Sequence, residues 1–255
     1  MKKVLILATC LTVFNSWADE SEPKRVVDNH VSLGVTGSSL GIGGRVDWSV
    51  KTEDEDGESS TRSQIELMPV EVTPSVGASS DSYRFHIDLI GDTSKKRFLG
   101  EGKSMLVPYL QHGFSGLEYT YDGQENSFRL LNGGLGTGLK LNVNDDIKLS
   151  AHVGLGLGLE FGKRDGIFDT SVYSEGEISL YDLVSIVARD ELRSSFDGDK
   201  EHLSEINLAV RINDDIRAGI ELERSNNTFA NGTGYETSYA GIMIGGRFGG
   251  KSSSR

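Results

Sequence analysis

The chain has 255 residues, with 32 Gly, 4 Pro, one Cys and a formal net charge of −12. Hydrophobic residues make up 36% of it and the mean hydropathy is −0.30, which excludes a bundle of membrane helices because each helix needs a run of ~20 apolar residues. Each Gly weakens a helix interior by ~1 kcal/mol relative to Ala, so the glycine content also argues against an α-helical protein. The acidic balance provides no basic surface to neutralise phosphates, and we expect no nucleic-acid partner.

The N-terminus has the pattern of a secretory signal peptide over residues 1–18. Two lysines precede a short apolar core, Val4–Phe14, and Ser16 and Ala18 provide the small residues of a cleavage site. The core is too short to span a bilayer. Cys10 lies within the core rather than at a cleavage point, which argues against lipidation. We therefore predict that the mature chain is exported and contains no Cys.

Alternation of apolar and polar residues is the main structural signal in the rest of the chain. It is longest over 146–162, where Leu155 and Leu157 face one way and Gly154 and Gly156 face the other. A common soluble strand has ~5–6 residues, whereas a tilted strand that crosses a bilayer needs ~9–11. No second apolar run of helical membrane length follows the signal peptide, so a mature chain that enters a membrane must form a closed β-barrel.

Twelve strands follow from the alternation, an even number as bacterial barrels require. They lie near 31–50, 62–73, 81–90, 104–111, 114–122, 126–143, 146–162, 171–183, 184–195, 202–213, 215–225 and 238–248. A slip in phase near Gly37 predicts a β-bulge in the first strand, and eight or ten strands remain compatible with the weaker segments. The predicted fold is all-β, an antiparallel transmembrane β-barrel of about 10–12 strands. It covers 30–248, between a short periplasmic N-terminal segment (19–29) and a polar C-terminal tail (249–255).

Two matching turns predict the register and the orientation of the barrel. The sequence VNDDI at 143–147 parallels INDDI at 212–216. A three-residue loop pairs Val143 with Ile147 and keeps every face in phase, which sets Gly136 opposite Gly154. We place both turns on the periplasmic side and the longer polar connections on the outer side. The predicted outer loops are 51–61, which is strongly acidic, 91–103, 163–169, 195–200 and 226–236.

The final strand, YAGIMIGGRF over 239–248, resembles the terminal strand that barrel-assembly machinery recognises, with Phe248 as its aromatic end. Residues 249–255 follow it, whereas the usual pattern ends at the aromatic residue. Together, residues 30–248 resemble a Gram-negative outer-membrane β-barrel, porin-like or autotransporter-like, as a class rather than through a family motif. The resemblance implies an outer-membrane location, contact with lipid and lipopolysaccharide, folding by the barrel-assembly machinery, and a monomer.

In such a barrel the polar face of each strand lines the lumen, and those residues are the candidates for function. The lumen-lining candidates carry charges of both signs and are Arg45, Asp47, Arg84, His86, Asp88, Glu118, Lys140, Lys148, His152, Glu160, Arg211, Arg217, Glu221, Glu223 and Arg247. One interpretation is a hydrated channel in which charged rings select solutes. The other is a narrow lumen closed by ion pairs, because small barrels are often filled by side chains.

Glycines form a small inward track on two neighbouring strands, namely Gly134, Gly136, Gly138, Gly154, Gly156 and Gly158. The track could leave a recess for a plug segment or a ligand. We favour the interpretation that glycine relieves crowding and permits curvature in a closed sheet. No helix follows these glycines, which excludes a phosphate-cradling loop.

We predict a passive, porin-like channel or a structural membrane protein, with no catalytic residues, no metal site and no cofactor. One alternative is an outer-membrane enzyme acting on lipid A or phospholipid, which would need a nucleophile or a His–carboxylate arrangement near the membrane edge. His86 and Asp88 share a lumen face without a nearby Ser, His112 falls in a predicted turn, and His202 lies at a strand start. Two further alternatives are a surface adhesin or receptor that uses the acidic outer loops, and a soluble exported β-sandwich.

Overall fold

The computed structural model describes residues 25–38, 40–54, 57–70, 82–93, 99–101, 104–121, 124–144, 146–162, 167–230 and 232–247. The predicted signal peptide (1–18), the assembly-signal residue Phe248 and the tail (249–255) lie outside these described residues. In the part of the chain that the structure describes, no helix is both long enough and apolar enough to cross a membrane.

The described residues form thirteen β-strands, and all of the paired strands are antiparallel. Their bounds are β1 (Arg25–Ser38), β2 (Gly41–Asp54), β3 (Gly57–Val70), β4 (Ser82–Thr93), β5 (Leu99–Glu101), β6 (Ser104–Tyr121), β7 (Gln124–Asn142), β8 (Ile147–Gly162), β9 (Ile167–Leu180), β10 (Val184–Ser195), β11 (Lys200–Arg211), β12 (Ile216–Thr228) and β13 (Gly234–Arg247).

Twelve of these strands close into a single barrel. Neighbours in the chain pair with one another, β1 pairs with β13, and β4 pairs with β6 to complete the ring. Strand β5 has three residues and pairs only with the first residues of β6, so it lies outside the ring of twelve. The predicted fold class, an antiparallel all-β barrel, is confirmed.

The predicted first strand, 31–50, is wrong in one respect, because it is two strands. The slip in phase beside Gly37 marks a turn between Ser38 and Gly41 rather than a bulge. Gly41 has a φ of +151°, a backbone conformation that glycine adopts without the steric cost of a side chain. Strand β2 therefore runs back along β1, with Gly37 opposite Ile42.

A second boundary error restores the strand count to twelve. The segments 104–111 and 114–122, predicted as separate strands, are the single strand β6. Its pairing with β7 continues without a break from Ser104 to Tyr121. His112 consequently lies in the middle of a strand and not in a turn.

The strands run alternately up and down, so their connections fall at two ends of the barrel. The terminal end holds Arg25 and Arg247, together with the connections β2–β3, β4–β6, β7–β8, β9–β10 and β11–β12. The opposite end holds the connections β1–β2, β3–β4, β6–β7, β8–β9, β10–β11 and β12–β13.

This alternation corrects the predicted position of two loops. The acidic segment 51–61 and the segment 91–103 lie at the terminal end, together with the turns 143–147 and 212–216. They cannot be outer loops if those turns are periplasmic, because the additional turn between β1 and β2 reverses the direction of β2, β3 and β4. The predicted outer loops at the opposite end are 163–169, 195–200 and 226–236. With the turns on the periplasmic side, the adhesin alternative would depend on these loops and not on the acidic segment.

The two matching turns have the predicted register. The backbone N–H of Val143 donates to the carbonyl of Ile147 at 3.0 Å, and that of Ile212 donates to the carbonyl of Ile216 at 2.9 Å. In the first turn, Asn144 Oδ1 accepts the backbone N–H groups of the two residues that close the loop, at 2.9 and 2.8 Å. This is the local hydrogen bonding that favours Asn in turns.

The inward glycines of β7 and β8 lie opposite one another. Gly136 is opposite Gly154, and Gly134 is opposite Gly156. A Cβ atom on Gly136 would lie 2.1 Å from the carbonyl oxygen of Val153 and 2.6 Å from the Cα of Gly154. There is no room for a side chain at this position, so the geometry agrees with relief of crowding rather than with an open recess.

The apolar face of the barrel points outward. Leu155 and Leu157 are each 69% exposed and Ile242 is 70% exposed, whereas Glu66 and Arg84 are 1% and 2% exposed. A soluble β-sandwich would bury its leucines between two sheets, so this alternative is wrong. Apolar side chains outside and polar side chains inside are typical of a barrel surrounded by lipid.

Candidate functional site

Buried ion pairs cross the lumen near its middle. Arg84 on β4 contacts Glu66 on β3, with 2.6 Å between Nη2 and Oε2, and also pairs with Glu223 on β12. Its Nη1 donates to Ser225 Oγ at 2.9 Å. Arg84 and both glutamates are 3% exposed or less. One guanidinium therefore joins walls of the barrel that are far apart in strand order.

A second arginine makes a similar set of contacts. Arg45 on β2 lies 2.8 Å from Glu205 on β11, measured from Nη1 to Oε1, and pairs with Glu221 on β12. Its Nε lies 2.9 Å from Asp47 Oδ1. We call Arg45, Glu66, Arg84, Glu205, Glu221 and Glu223 the central ion-pair layer. The two arginines offset the charge of carboxylates that would be costly to bury without a partner.

Further ion pairs fill the lumen closer to the opposite end. Arg193 on β10 lies 2.9 Å from Glu191, through Nε and Oε1, and 2.9 Å from Glu201 on β11, through Nη1 and Oε2. Arg189 Nη2 lies 3.1 Å from the other oxygen of Glu191. All four side chains are buried. Charged groups therefore occupy the lumen on both sides of the middle.

Aromatic rings pack among the buried ion pairs of the lumen. Tyr109 on β6 and Tyr173 on β9 stack with 5.4 Å between ring centroids, and both are almost fully buried. Tyr173 Oη donates to Glu175 at 2.6 Å, and Glu175 also pairs with Arg62. The guanidinium of Arg189 lies 5.1 Å from the centre of the Tyr173 ring, within cation–π range. The rings thus link the ion pairs into one packed interior.

Between the central ion-pair layer and the terminal end, the lumen widens into a cavity of about 820 Å³, which we call the vestibule. The charged side chains that line it are Arg45, Lys51, Arg62, Lys140, Lys148, Arg211, Arg217 and Arg247, with Asp47, Glu175, Glu177, Asp182 and Glu205. Among the described residues, eight cations and five carboxylates line the vestibule, although the whole chain has a net charge of −12. The vestibule is basic within an acidic protein.

Several of the vestibule carboxylates are already engaged by arginine or lysine. Lys148 Nζ donates to Asp182 Oδ1 at 2.9 Å, and this hydrogen bond holds the pKa of Asp182 below its usual range. Asp182 lies in the β9–β10 turn, where its φ is +51°. Arg211 and Arg217 occupy directly opposite positions on β11 and β12. Two cations therefore adjoin on this wall of the vestibule.

The structure brings most of the predicted lumen residues together. The central layer or the vestibule contains Arg45, Asp47, Arg84, Lys140, Lys148, His152, Arg211, Arg217, Glu221, Glu223 and Arg247. The side chains of His86, Asp88, Glu118 and Glu160 lie outside the described part of the structure, although their strands are described. Of the predicted inward glycines, Gly138, Gly154 and Gly158 are buried, and Gly134, Gly136 and Gly156 are partly exposed.

Sequence analysis missed more than half of the ion-pair partners that the structure describes in the lumen. The missed residues are Arg62, Glu66, Glu175, Asp182, Arg189, Glu191, Arg193, Glu201 and Glu205. On β10 the inward Arg189, Glu191 and Arg193 alternate with Asp190 on the outward face. Charge on both faces hides the period-two pattern, and only the inward glutamates of β3 and β11 could have been found by extending the alternation.

Three carboxylates of the central ion-pair layer lie close together. Oxygen atoms of Glu66, Glu221 and Glu223 all lie within 4.8 Å of one another. Arg45 pairs with Glu221, and Arg84 pairs with the other two. The guanidinium groups of Arg45 and Arg84 therefore occupy the places beside these carboxylates that a metal ion would need. The arrangement suits ion pairing rather than metal binding.

Comparison with known proteins gives a likeness of fold. No protein-family model matches the chain, and no curated protein sequence matches it. The NanC porin structure is similar with a TM-score of 0.51 and 10% identity, over 86% of this chain and 100% of that one. The KdgM porin has a TM-score of 0.42 and 9% identity, over 86% and 99%. The translocator domain of the autotransporter NalP from Neisseria meningitidis has a TM-score of 0.46 and 11% identity, over 96% of both chains. At 10% identity, the likeness to NanC shows a shared barrel fold and nothing finer.

Proposed function

We propose that this protein is an outer-membrane β-barrel that acts as a narrow, porin-like channel with a preference for small anions. The observation that carries the proposal is the vestibule, a cavity of about 820 Å³ in which eight cations face five carboxylates. Rings of charged side chains select ions by sign in membrane channels. A barrel with a purely structural role would have no need for a basic chamber inside an acidic chain.

The outer surface supports the membrane location. Leucine and isoleucine side chains cover the outward face of the strands, and closed barrels of this kind leave no unpaired backbone groups in lipid. In this proposal residues 1–18 are the export signal, the terminal end faces the periplasm, and lipopolysaccharide surrounds the opposite end. Insertion as a monomer by the barrel-assembly machinery, with Phe248 in the recognised strand, belongs to the same proposal.

The central ion-pair layer is the constriction of the proposed channel. Arg45 and Arg84 each contact two or more carboxylates, so an anion that reaches them from the vestibule competes with a glutamate for the guanidinium. An anion that takes the place of a glutamate on one guanidinium can pass the layer while it remains paired with a cation. No isolated charge is then left in the lumen. Such a channel conducts little in its resting state, because side chains fill its middle.

Conductance in planar bilayers tests the proposal. Refolded protein that shows heat-modifiable mobility should give small steps, and a KCl gradient should give a reversal potential that indicates chloride preference.

The triple variant Glu66→Ser, Arg84→Ser and Glu223→Ser removes the ion pairs that span the lumen and should increase the step size severalfold. The matched control is Glu236→Gln, which removes one carboxylate from the outer surface, where Glu236 is 56% exposed. This variant should leave the conductance steps unchanged. Absence of steps from both the wild-type protein and the triple variant would overturn the proposal.

A further inference from the structure

A polar patch interrupts the apolar outer face of the barrel on β10, β11, β12 and β13. We call it the outer polar patch, and its members are Asp190, His202, Ser204, Arg224 and Glu236. Asp190 Oδ1 accepts from Ser204 Oγ at 2.6 Å and lies 2.7 Å from His202 Nε2, and Arg224 pairs with Glu236. The four ionisable side chains are between 47% and 65% exposed, so a molecule beside the barrel can reach the patch.

The apolar face is short on the strands that carry the patch. On β8, outward apolar residues run from Ile147 to Leu159, which spans ~30 Å of the barrel axis at ~3.4 Å per residue and a tilt of ~40°. On β12 they run only from Ile216 to Leu222, which spans ~15 Å. Both spans start at the terminal end. The apolar band of an outer-membrane barrel is ~25 Å tall, so Arg224, the next outward residue after Leu222, lies within it.

Apolar surface also continues beyond the patch on the side of β9 and β10. Asp190 lies between Ala188 and Leu192 on the outward face of β10, and Leu192 is 49% exposed. Farther toward the opposite end, Phe168 and Phe196 are 61% and 79% exposed. On this side the patch therefore lies within the lipid-facing surface and not on a polar rim. Charges on such a wall are destabilising, and an apolar face that is too short for the bilayer is accommodated by thinning of the lipid or by oligomerisation.

We propose that a second copy of this chain covers the outer polar patch, so that two barrels associate side by side in the membrane. The association follows insertion of the single barrels, goes beyond the proposed channel and does not depend on it. A two-fold interface brings the same surface of both copies together. Polar contacts between the copies then replace contacts between charged side chains and acyl chains.

The register of the strands makes the patch complementary to a copy of itself. Ser204 is directly opposite Asp190 on one side and directly opposite Arg224 on the other. A two-fold axis that passes beside Ser204, along the membrane normal, therefore puts Asp190 of each barrel next to Arg224 of the other. The tilt of the strands separates these two residues by ~6 Å in depth, a distance that the long arginine side chain spans.

Both side chains have hydrogen-bonding capacity for this contact. A guanidinium has five N–H donors, so Arg224 can keep its contact with Glu236 and bind Asp190 of the other copy as well. Asp190 contacts Ser204 and His202 through Oδ1, and the guanidinium of the other copy would bind through Oδ2. The contacts within each chain are thus retained in the pair of barrels.

The charges of the patch favour a second copy over an anionic lipid. Two carboxylates, Asp190 and Glu236, lie beside one guanidinium, Arg224, and one imidazole, His202. Even with His202 protonated, the negative charges equal the positive ones, so the patch as a whole does not attract a lipid phosphate. A copy of the patch offers both signs, in the order that the two-fold axis requires.

Cross-linking in lipid vesicles tests the two-fold arrangement. Ser204→Cys in a Cys10→Ser background has a single thiol, which the axis places opposite its copy. A bismaleimide with a spacer of ~10 Å, the distance at which sheets pack face to face, should join two chains. Leu155→Cys in the same background is the matched control, because Leu155 is 69% exposed on β8, away from the patch, and it should give single chains. Heat-modifiable mobility verifies that each variant is folded.

A double-mutant cycle tests the contact between Asp190 and Arg224. The dissociation constant of the dimer is measured by single-molecule photobleaching of labelled barrels at decreasing protein-to-lipid ratios. Asp190→Asn and Arg224→Gln should each raise it ~10-fold, and the double variant should raise it no further, because both changes remove the same pair. Within one chain the two residues have separate partners, so purely structural effects would multiply. Arg217→Gln, which removes a cation from the vestibule, should leave the dissociation constant unchanged.

Three outcomes would overturn the proposal. Wild-type barrels that stay single at every protein-to-lipid ratio would show that lipid covers the patch. Cross-linking of Ser204→Cys no greater than that of Leu155→Cys would exclude the two-fold axis, and multiplied effects of Asp190→Asn and Arg224→Gln would exclude their contact. Conductance of a single barrel is a separate readout, so loss of association alone leaves the proposed channel intact.

Discussion

Arg84 and Glu223 are 139 positions apart in the sequence, yet their side chains pair inside the lumen. Strands β4 and β12, which carry them, are separated in the ring by β3, β2, β1 and β13. The contact therefore crosses the barrel rather than following its wall. The lumen is narrow enough at this level for a single arginine to reach from one side to the other.

The first prediction concerns this contact. Arg84→Met keeps an unbranched side chain of similar length but leaves Glu66 and Glu223 buried without their guanidinium. Removing one partner of a buried ion pair typically costs ~3–5 kcal/mol. We expect the free energy of unfolding in lipid vesicles, measured by urea titration with tryptophan fluorescence, to fall by about that amount.

The control for this prediction removes the remaining charges as well. The triple variant Arg84→Met, Glu66→Gln and Glu223→Gln should recover most of the lost free energy, because neutral amides cost less to bury than unpaired carboxylates. If Arg84→Met unfolds at the same urea concentration as the wild-type protein, the ion pairs contribute nothing to stability.

The second prediction concerns the glycines of β7 and β8. In Gly136→Ala, the new Cβ would lie 2.1 Å from a backbone oxygen of Val153, which cannot move away without disturbing the strand pair. Overpacking of this kind costs ~1–3 kcal/mol, and we expect heat-modifiable mobility to be lost at a lower temperature. Gly44→Ala is the matched control, since a Cβ there would have no neighbour within 4 Å. Equal effects of the two variants would contradict the close approach of β7 and β8.

Alternation made the fold class and the faces of the strands predictable. The turn at 143–147 also predicted the pairing of Gly136 with Gly154, because a two-residue loop would put Val143 opposite a polar residue, whereas a three-residue loop keeps the faces in phase. Strand boundaries were less predictable. A slip in phase beside Gly37 is compatible with either a bulge or a turn, and the weak alternation of β6 resembled a break.

The contacts across the lumen could not be predicted. Alternation assigns a side chain to the inside or the outside, but it carries no information about which inward residue faces which across the ring. Arg84 was expected in the lumen, whereas its pairing with Glu223 depends on closure of the whole barrel.

The third prediction concerns ion preference in the vestibule. Arg211→Gln combined with Arg217→Gln removes two opposed cations from its wall. We expect the reversal potential in a KCl gradient to shift toward that of a non-selective channel, because the remaining cations and carboxylates are closer in number. Arg224→Gln, which removes a cation that is 65% exposed on the outer surface, should leave the reversal potential unchanged. A shift of equal size in both variants would show that overall charge, rather than the vestibule, decides the preference.

The fourth prediction tests which face of β8 contacts lipid. Leu155 lies in the middle of this strand and is 69% exposed on the outer surface, whereas Ser150 lines the vestibule on the same strand. An arginine at the bilayer midplane of a barrel costs ~2–4 kcal/mol, so Leu155→Arg should lower the free energy of unfolding in vesicles by about that amount. Ser150→Arg adds the same charge to a hydrated cavity and should change the free energy of unfolding by less than half as much. If Ser150→Arg lowered the free energy of unfolding more than Leu155→Arg, Ser150 would be the lipid-facing position. The leucines would then have to face the lumen and the charged residues the lipid.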